Sequence, residues 1–359
     1  MLPTRTGLLD AAWLNDRLAD RDDVGTIAEV THESMGEGVG ILGELSRLHL
    51  SYGPGETGPA TMIAKCQSAF PENVGLCQAM GFYNREISFY QQLAGDVGLR
   101  VPRPYVAEID PAGAPFVLVL EEITGARMVD QLDGADRADC ETVLSSLAAL
   151  HAEFWDSDRL DALEWLPPMN NDAYKAAKAL GEAHWDGFVA NWSDRVPARV
   201  LGWVEAVTPR YPEMLDWWAD QGNATFAHID SRLENFLFDT ETNAVTVLDF
   251  QLATRHVGAF DVAYFLAQSV STDNRRAWEQ ELLDRYHAEL LDHGVSADYT
   301  RERFQRDYRY CLLQQAWAQL AVANLDPGND RGRALLDAFV TRSFVAADDH
   351  DSGELLDLL

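Results

Sequence analysis

The chain has 359 residues, of which 58 are acidic and 28 basic, so its formal net charge is −30 at pH 7. This length exceeds what one small core needs and fits one large two-lobed domain or two domains. Hydrophobic residues make up 47% of the chain, which argues against disorder. A surface this acidic repels phosphate backbones and anionic lipid, which excludes binding to nucleic acid or to such membranes.

The ends and the cysteines indicate a protein of the reducing cytoplasm. The first residues carry no basic start followed by an apolar run, and no stretch approaches the roughly 18 apolar residues that would span a bilayer. The cysteines lack C-x-x-C spacing and are typical of small buried side chains, not of a disulfide framework or a zinc site. They are Cys66, Cys77, Cys140 and Cys311. The pattern leaves the oligomeric state open.

The first third of the chain is rich in strand patterns. Short runs of alternating or fully apolar residues are separated by glycine and proline, which predicts a β-rich region. A helical period replaces the alternation over residues 79–94, with Phe82, Ile87, Tyr90 and Leu93 on the apolar side. The predicted strands are residues 24–30, 44–52, 61–66, 105–109 and 116–121.

After Gly125 the pattern becomes mainly helical. The apolar pattern over residues 137–156 strongly predicts a helix. The helical period then dominates to the end of the chain, except for two short strands predicted at 236–238 and 245–250. The fold class is therefore α+β, with a smaller β-rich lobe followed by a larger helical lobe. The predicted boundaries are 1–121 for the N-terminal lobe, 122–126 for the connecting hinge and 127–359 for the C-terminal lobe.

One segment carries most of the chemical information. His228, Asp230 and Asn235 occur with the spacing H-x-D-x-x-x-x-N, and Asp249 follows a β run in the sequence D-F-Q. Phosphoryl transfer from ATP needs a carboxylate that accepts or orients the proton of the acceptor hydroxyl, and two oxygen ligands for magnesium. Asp230 fits the first role, and Asn235 and Asp249 fit the second.

With these motifs the chain resembles the aminoglycoside phosphotransferase and choline kinase-like family, and most of all its ecdysteroid kinase-like branch. The family's loop H-G-D-x-x-x-x-N stands here as H-I-D-S-R-L-E-N, and its metal motif D-[FW]-[EQ] as D-F-Q. The departure is Ile229, where the family usually has glycine. The resemblance implies the bilobal protein kinase-like fold, with an antiparallel N-terminal β lobe carrying one helix and a larger, mainly helical C-terminal lobe. It also implies dependence on ATP and Mg²⁺.

The resemblance directs attention to a lysine on the third strand and a glutamate on the following helix. Such kinases use this pair to hold the α and β phosphates. Lys65 and Glu86 stand at these places in the sequence. The chain has three lysines in all, and Lys65 is the only one before residue 175. An ordinary exposed lysine is therefore the less favoured alternative for Lys65, as a solvated helix carboxylate is for Glu86.

Two further segments are predicted to contact the nucleotide. The stretch M-G-E-G-V-G-I-L-G contains Gly36, Gly38 and Gly40 between the first two strands, where kinases have their nucleotide lid. A glycine cluster also makes ordinary hairpin turns, so this signal alone is weak. The run L-V-L-E-E-I resembles the family's hinge, whose backbone at Glu121 and Ile123 would bind adenine. Its alternative is a buried strand that ends at a lobe boundary.

Three residues around the catalytic loop are open to more than one interpretation. Arg232 lies where many kinases place a cation on the γ-phosphate, and a surface pair with Glu234 is equally compatible with its position. His228 is interpreted as a structural histidine beneath the loop. Asp261 precedes an apolar helix and is expected to cap its N-terminus.

The spacing after the metal motif favours a small acceptor. Only 11 residues separate Asp249 from Asp261 and no A-P-E sequence follows, which leaves no room for the activation segment that docks a peptide in a protein kinase. Seven tryptophans in the helical lobe would suit an amine acceptor or fill a core, and the core is favoured. They are Trp155, Trp165, Trp185, Trp192, Trp203, Trp217 and Trp218.

The preferred hypothesis is an ATP- and Mg²⁺-dependent kinase that phosphorylates a hydroxyl of a small molecule. The acceptor is left open among an aminoglycoside, a choline-like amine, a sugar and a steroid-like alcohol. A nucleotide-binding pseudokinase is the alternative from a different class. The presence of Lys65, Glu86, Asp230, Asn235 and Asp249 together argues against it.

Overall fold

The computed structural model describes residues 2–35, 42–323 and 329–359. Within it the chain forms two compact units. The first is Met1–Gly125 with Leu248–Leu252, and the second is Ala126–Val247 with Ala253–Leu359. None of the described helices combines the length and the apolar composition that crossing a membrane requires.

The first unit is built on one antiparallel sheet of five strands in the order β1-β2-β3-β5-β4. Because successive side chains of a strand point to opposite faces, Met62, Ala64 and Cys66 of the third strand enter the core and Lys65 lies on the other face. The strands are β1 (Ile27–Met35), β2 (Gly43–Tyr52), β3 (Thr61–Gln67), β4 (Pro104–Ile109) and β5 (Phe116–Glu121). All five predicted strands are confirmed, although β1 lies further along the chain than predicted.

The helices of the first unit differ from the prediction. The helical period over residues 79–94 corresponds to two helices, because Gly81 adopts φ +71° and ends the first of them in a left-handed cap. The unit also has a helix near its start, where the Asp10 carboxylate accepts a hydrogen bond from the Trp13 N–H. Three helices therefore stand where one was predicted. They are α1 (Ala11–Leu18), α2 (Pro71–Met80) and α3 (Phe82–Gln92).

The second unit is mainly helical and contains two small antiparallel sheets. Strands β6 (Ala126–Met128), β8 (Phe236–Asp239) and β9 (Val245–Val247) form the first, and β7 (Ala224–Ala227) pairs with β10 (Thr254–Val257) in the second. The helices are α4 (Arg137–Phe154), α5 (Asp158–Asp161), α6 (Asp172–Trp192), α7 (Ala198–Val207), α8 (Tyr211–Asp220), α9 (Ala259–Ser269), α10 (Thr272–Asp292), α11 (Arg301–Val322) and α12 (Asp330–Asp349). The predicted α+β class is confirmed.

The chain after β9 corrects the predicted strand over 245–250. The strand ends at Val247, because Asp249 adopts φ +62°, a left-handed conformation that cannot continue a strand. Phe250 then opens a short 3₁₀ helix and stacks on Phe89 of α3, with ring centroids 3.6 Å apart. This stacking holds the D-F-Q segment in place within the first unit.

Candidate active site

In the first unit, three predicted site residues from distant parts of the sequence meet at one ammonium group. Lys65 Nζ lies 2.8 Å from Glu86 Oε1 and 3.2 Å from Asp249 Oδ1. Gln251 Oε1, two residues beyond Asp249, lies 3.4 Å from the same nitrogen. Strand β3, helix α3 and the segment after β9 each contribute to this group, which we call the lysine cluster: Lys65, Glu86, Asp249 and Gln251.

Burial and mutual charge set the protonation of the lysine cluster. Burial alone would lower the pKa of Lys65, but the carboxylates of Asp249 and Glu86 outweigh it and raise this pKa above its usual value. Burial raises the pKa of Glu86 to about 7, against the opposing effect of Lys65, and the charge of Asp249 adds to the rise. Glu86 Oε2 is buried without a hydrogen-bond partner among the described residues.

The degree of exposure distinguishes the two carboxylates of the lysine cluster. The side chain of Glu86 is 3% exposed, whereas that of Asp249 is 21% exposed and that of Lys65 12%. Glu86 is therefore an internal partner of the lysine. Asp249 and Lys65 retain surface on which a ligand can bind.

Gly43, at the start of β2, gives the lysine room. A Cβ at this position would lie 3.3 Å from Lys65 Cε and 3.1 Å from the carbonyl oxygen of Cys66. A side chain at position 43 would therefore press the lysine out of its present path. Gly36, Gly38 and Gly40, predicted to form the nucleotide lid, lie outside the described residues.

The two predicted hinge residues differ in their main-chain bonding. The Glu121 N–H donates to the Arg103 carbonyl oxygen over 2.9 Å, so this amide is already engaged. No hydrogen bond among the described residues uses the main chain of Ile123, which lies two residues after the end of β5. Ile123 is therefore the position of the two whose backbone is available to a ligand.

In the second unit, the catalytic-loop carboxylate is held from two sides. Asn235 Nδ2 donates to the Asp230 carbonyl oxygen over 2.7 Å and to Asp230 Oδ2 over 3.1 Å. The Tyr264 hydroxyl donates to Asp230 Oδ1 over 3.0 Å. Asp230 and Asn235 are thus brought together as predicted from their spacing, and Tyr264 is an additional partner.

Arg232 forms the surface pair expected with Glu234 and also lies beside Asp230. Its Nε lies 3.7 Å from Asp230 Oδ2, and its Nη1 lies 4.0 Å from Glu234 Oε2. Arg331 of α12 also approaches Glu234, at 3.7 Å. The cation therefore lies beside the candidate base, and its surface pair with Glu234 is present as well.

The backbone of the catalytic loop is anchored by Asp261. Its carboxylate accepts hydrogen bonds from the N–H groups of His228 and Ile229, over 2.6 Å and 2.7 Å, and from His151 Nε2 over 3.1 Å. Burial would raise the pKa of Asp261, but the bonds and charges of His151 and His228 hold it below its usual value. The expectation that Asp261 caps its helix is therefore wrong, since Gly258 is the N-cap and Asp261 binds the loop.

Ile229 adopts the conformation that explains the family's usual glycine. Its φ is +69°, a left-handed value at which a β-branched side chain is strained. The hydrogen bond from its N–H to Asp261 and the burial of its side chain, which is 9% exposed, hold it there. The isoleucine thus preserves the loop path of a glycine at the cost of local strain.

Two residues near the site, Tyr264 and His151, were not predicted from the sequence. Tyr264 lies 34 residues beyond its partner Asp230, and His151 lies 110 residues before Asp261. At such separations no local sequence spacing predicts either contact. A signal for Tyr264 did exist. It lies three residues after Asp261, and residues three apart share a helix face.

The seven tryptophans of the helical lobe are all buried or half-buried, which supports their interpretation as core residues.

Comparison with known proteins gives a match along most of the chain. A family model described as "Phosphotransferase enzyme family" matches residues 78–304. An uncharacterized kinase-like protein of Caenorhabditis elegans is 25% identical over 235 residues, which are 63% of this chain and 61% of that protein. The chain therefore spans about three fifths of the length of this relative.

Solved structures share the fold at low identity. The GDP and kanamycin complex of APH(2")-IIIa is 14% identical, with coverage of 93% of this chain and 96% of that one and a TM-score of 0.53. The choline kinase LicA of Streptococcus pneumoniae is 16% identical, with coverage of 94% and 98% and a TM-score of 0.50. At such identities the likeness concerns the fold alone.

Proposed function

This chain belongs to the phosphotransferase enzyme family, and we propose that it transfers the γ-phosphate of ATP to a hydroxyl of a small molecule. The observation that carries the proposal is the lysine cluster. A lysine, a buried glutamate and a partly exposed aspartate from three separate segments meet within 3.2 Å. This is the arrangement that holds nucleotide phosphates in kinases.

The first unit is proposed to bind the nucleotide. The Lys65 ammonium keeps its charge because of its two carboxylate neighbours, and a charged lysine attracts the phosphates. Glu86 would orient the lysine, since it is buried beside it. The main chain of Ile123, and that of Glu121 in part, would bind adenine, and Gly36, Gly38 and Gly40 would cover the phosphates. GDP in the structure of APH(2")-IIIa supports a nucleotide as the ligand of this fold.

Asp230 is proposed as the catalytic base. Its carboxylate would accept the proton of the acceptor hydroxyl while the hydroxyl oxygen forms a bond to the γ-phosphorus. The bond between the γ-phosphorus and the bridging oxygen then breaks, and ADP leaves with that electron pair. The hydrogen bonds from Asn235 and Tyr264 hold the carboxylate in place for this step. Arg232 would stabilise negative charge on the γ-phosphate, beside the base.

The donor set fits magnesium. Because Asn235 Nδ2 is engaged by Asp230, its Oδ1 is the amide atom left to bind a ligand. The carboxylate of Asp249 is partly exposed. Carboxylate and amide oxygens are the protein ligands that Mg²⁺ prefers. Asn235 and Asp249 would hold Mg²⁺, which would neutralise phosphate charge when bound.

The acceptor is proposed to be a small hydroxylated molecule of the aminoglycoside, choline or steroid-alcohol type. The 11 residues between Asp249 and Asp261 hold only a 3₁₀ turn, strand β10 and the start of α9. A peptide-docking segment therefore has no place there. Kanamycin in the structure of APH(2")-IIIa and the name of the choline kinase supply two candidate classes.

Nucleotide binding tests the proposal through the lysine. Mg-ATP at about 100 times its dissociation constant should stabilise the folded protein by about 2.7 kcal/mol, which thermal unfolding detects as a rise in Tm. Lys65→Met should abolish this rise because the phosphates lose their cation. Lys178→Met is the matched control, since Lys178 pairs with Glu182 on the surface of α6.

Two results would contradict this part of the proposal. One is a wild-type protein that Mg-ATP does not stabilise. The other is an equal rise of Tm in Lys65→Met and in the wild type. Stabilisation without any ADP formation over a broad panel of alcohols would instead identify a nucleotide-binding pseudokinase.

A further inference from the structure

The hydroxyl of Tyr264 is bonded to the candidate catalytic base. It donates to Asp230 Oδ1 over 3.0 Å. The other carboxylate oxygen, Oδ2, accepts from Asn235 Nδ2 and has Arg232 Nε 3.7 Å away. Among the described residues, the tyrosine hydroxyl is the single hydrogen-bond donor to Oδ1. Oδ1 is therefore the oxygen to which the hydroxyl of a phosphate acceptor would bind. The Tyr264 hydroxyl is already bonded to this oxygen.

The position of Tyr264 is set by the helix that also anchors the loop. Tyr264 and Asp261 lie three residues apart on α9, and Asp261 binds the loop N–H groups of His228 and Ile229. The loop backbone and the backbone of Tyr264 are therefore held by the same helix. The phenol ring is only half-buried and packs near Phe260, with ring centroids 6.5 Å apart. Rotation about its own side-chain torsions can thus remove the hydroxyl from Asp230 while α9 stays in place.

The contact matches what the transfer reaction requires of an acceptor. An alcohol that is to be phosphorylated must donate its O–H to the base, and the phenol O–H does the same. The phenol is neutral at ordinary pH, because burial, and then the charge of Asp230, raise the pKa of Tyr264 well above its usual value. Tyr264 therefore stays a donor and does not compete with the base for protons.

We propose that the Tyr264 hydroxyl occupies the acceptor-hydroxyl subsite on Asp230 and that the acceptor displaces it. This inference rests on the proposed function. The tyrosine then determines specificity in two ways. It excludes water from the base while no acceptor is bound, and it demands an acceptor whose own hydroxyl binds Oδ1 better than a phenol does.

Hydrolysis of ATP without acceptor tests the inference. In Tyr264→Phe the subsite is open to water, whose proton Asp230 accepts while the water oxygen bonds to the γ-phosphorus and ADP leaves. Acceptor-independent ADP formation should rise about five- to tenfold, the factor that one lost hydrogen bond corresponds to. A tyrosine that merely orients the base would give a lower rate on removal, so the sign of the change separates the two roles.

Two variants make the result specific. Tyr52→Phe is the matched control, because it removes a single hydrogen bond, from the Tyr52 hydroxyl to the Pro59 carbonyl oxygen, in the sheet of the first unit. It should leave the rate of ADP formation unchanged. The double variant Asp230→Asn with Tyr264→Phe should lose the gain, because the water then lacks its base. Thermal unfolding of each variant checks that it is folded.

The outcomes separate this inference from the proposed function. A rate in Tyr264→Phe equal to or below a measurable wild-type rate overturns the inference and leaves the proposed kinase in place. The inference is also overturned if the double variant Asp230→Asn with Tyr264→Phe keeps the increased rate of acceptor-independent ADP formation. If Mg-ATP binds but neither the wild type nor Tyr264→Phe forms ADP without acceptor, the inference is overturned, and ADP formation over the panel of alcohols decides the proposed function separately.

Discussion

At the scale of single residues, the carboxyl groups of Glu86 and Asp230 have opposite surroundings. Glu86 is buried beside Lys65 with one oxygen lacking a partner among the described residues. Asp230 has hydrogen-bond donors on both oxygens. Burial, with one oxygen unpaired, disfavours the ionised form of the Glu86 carboxyl. Glu86 is therefore the residue at which pH acts on the lysine cluster.

The pH dependence of stability follows from the raised pKa of Glu86, about 7 against an ordinary 4.5. A carboxyl whose pKa is higher in the folded state contributes most to stability below pH 4.5, and this contribution is lost as the pH rises to about 7. Glu86→Gln cannot ionise. Relative to it, the wild type should lose stability between about pH 5 and 7, by roughly 1–3 kcal/mol, and then level off.

Urea unfolding of both proteins across this pH range measures the effect. Glu72→Gln, which removes an exposed carboxylate on α2, controls for the loss of one negative charge. A difference between wild type and Glu86→Gln that stays constant, or that grows in favour of the wild type as the pH rises, would mean that burial does not govern the ionisation of Glu86.

Site residues could be predicted from the sequence where they belong to motifs that follow one another in a known order. Lys65, Glu86, Asp230, Asn235 and Asp249 stand in the order that kinases use, and the structure groups them within each unit, while their roles remain predictions. Partners that depend on folding were not predictable in this way. Tyr264 and Asp261 lie 32 to 34 residues beyond the loop residues that they contact, and only the three-dimensional path of α9 brings them there.

At the scale of elements, the break between α2 and α3 shows how one glycine divides a helical pattern. The apolar period runs on through position 81, so periodicity alone predicts a continuous helix. The structure ends α2 there, with the Gly81 N–H donating to the carbonyl oxygens of Cys77 and Gln78 at φ +71°. Left-handed backbone conformation is a property of the single residue, and an apolar period carries no information about it.

Alanine substitution at two glycines tests this interpretation. Gly81→Ala should lower the free energy of unfolding by about 1 kcal/mol, because an L side chain is strained at positive φ. Gly75→Ala is the matched control in the interior of α2, where a Cβ meets nothing within 4 Å. It should raise the free energy of unfolding by about 0.5–1 kcal/mol, since alanine favours the helix.

Urea unfolding of the two variants and the wild type measures both changes in the free energy of unfolding, a decrease for Gly81→Ala and an increase for Gly75→Ala. Equal shifts in the same direction would contradict the assignment of a left-handed cap at Gly81. The strands β2, β3 and β5 were predicted more accurately, because they carry strand signals along their whole length: β5 has the predicted bounds, and β2 and β3 are each one residue longer.

At the scale of the whole molecule, the net charge of −30 sets the response to salt. Like charges repel one another in the compact state, and salt shortens the distance over which they do so. Thermal stability should therefore rise as sodium chloride increases from about 20 mM to about 300 mM, where the Debye length falls well below 10 Å. A Tm that falls over this range would mean that screened ion pairs outweigh the repulsion.

The family assignment also belongs to this scale. The predicted resemblance to the phosphotransferase family and to a protein kinase-like fold is confirmed, whereas the ecdysteroid kinase-like branch stays a prediction. Local motifs identify a family because its chemistry is concentrated in a few residues. The acceptor is not readable in the same way, since its contacts come from side chains that the motifs do not contain.

Transfer of the γ-phosphate of ATP to a hydroxyl compound is the measurement that tests the central claim most directly. A library of amino sugars, amino alcohols, sugars and sterol-like alcohols is incubated with Mg-ATP, and mass spectrometry detects an added phosphoryl group. The wild type and Asp96→Asn, an exposed control, should phosphorylate the same compound, and Asp230→Asn should do so about 10²- to 10⁴-fold more slowly. Phosphorylation by Asp230→Asn at the wild-type rate would contradict the claim, as would an ATP-bound wild type that phosphorylates nothing.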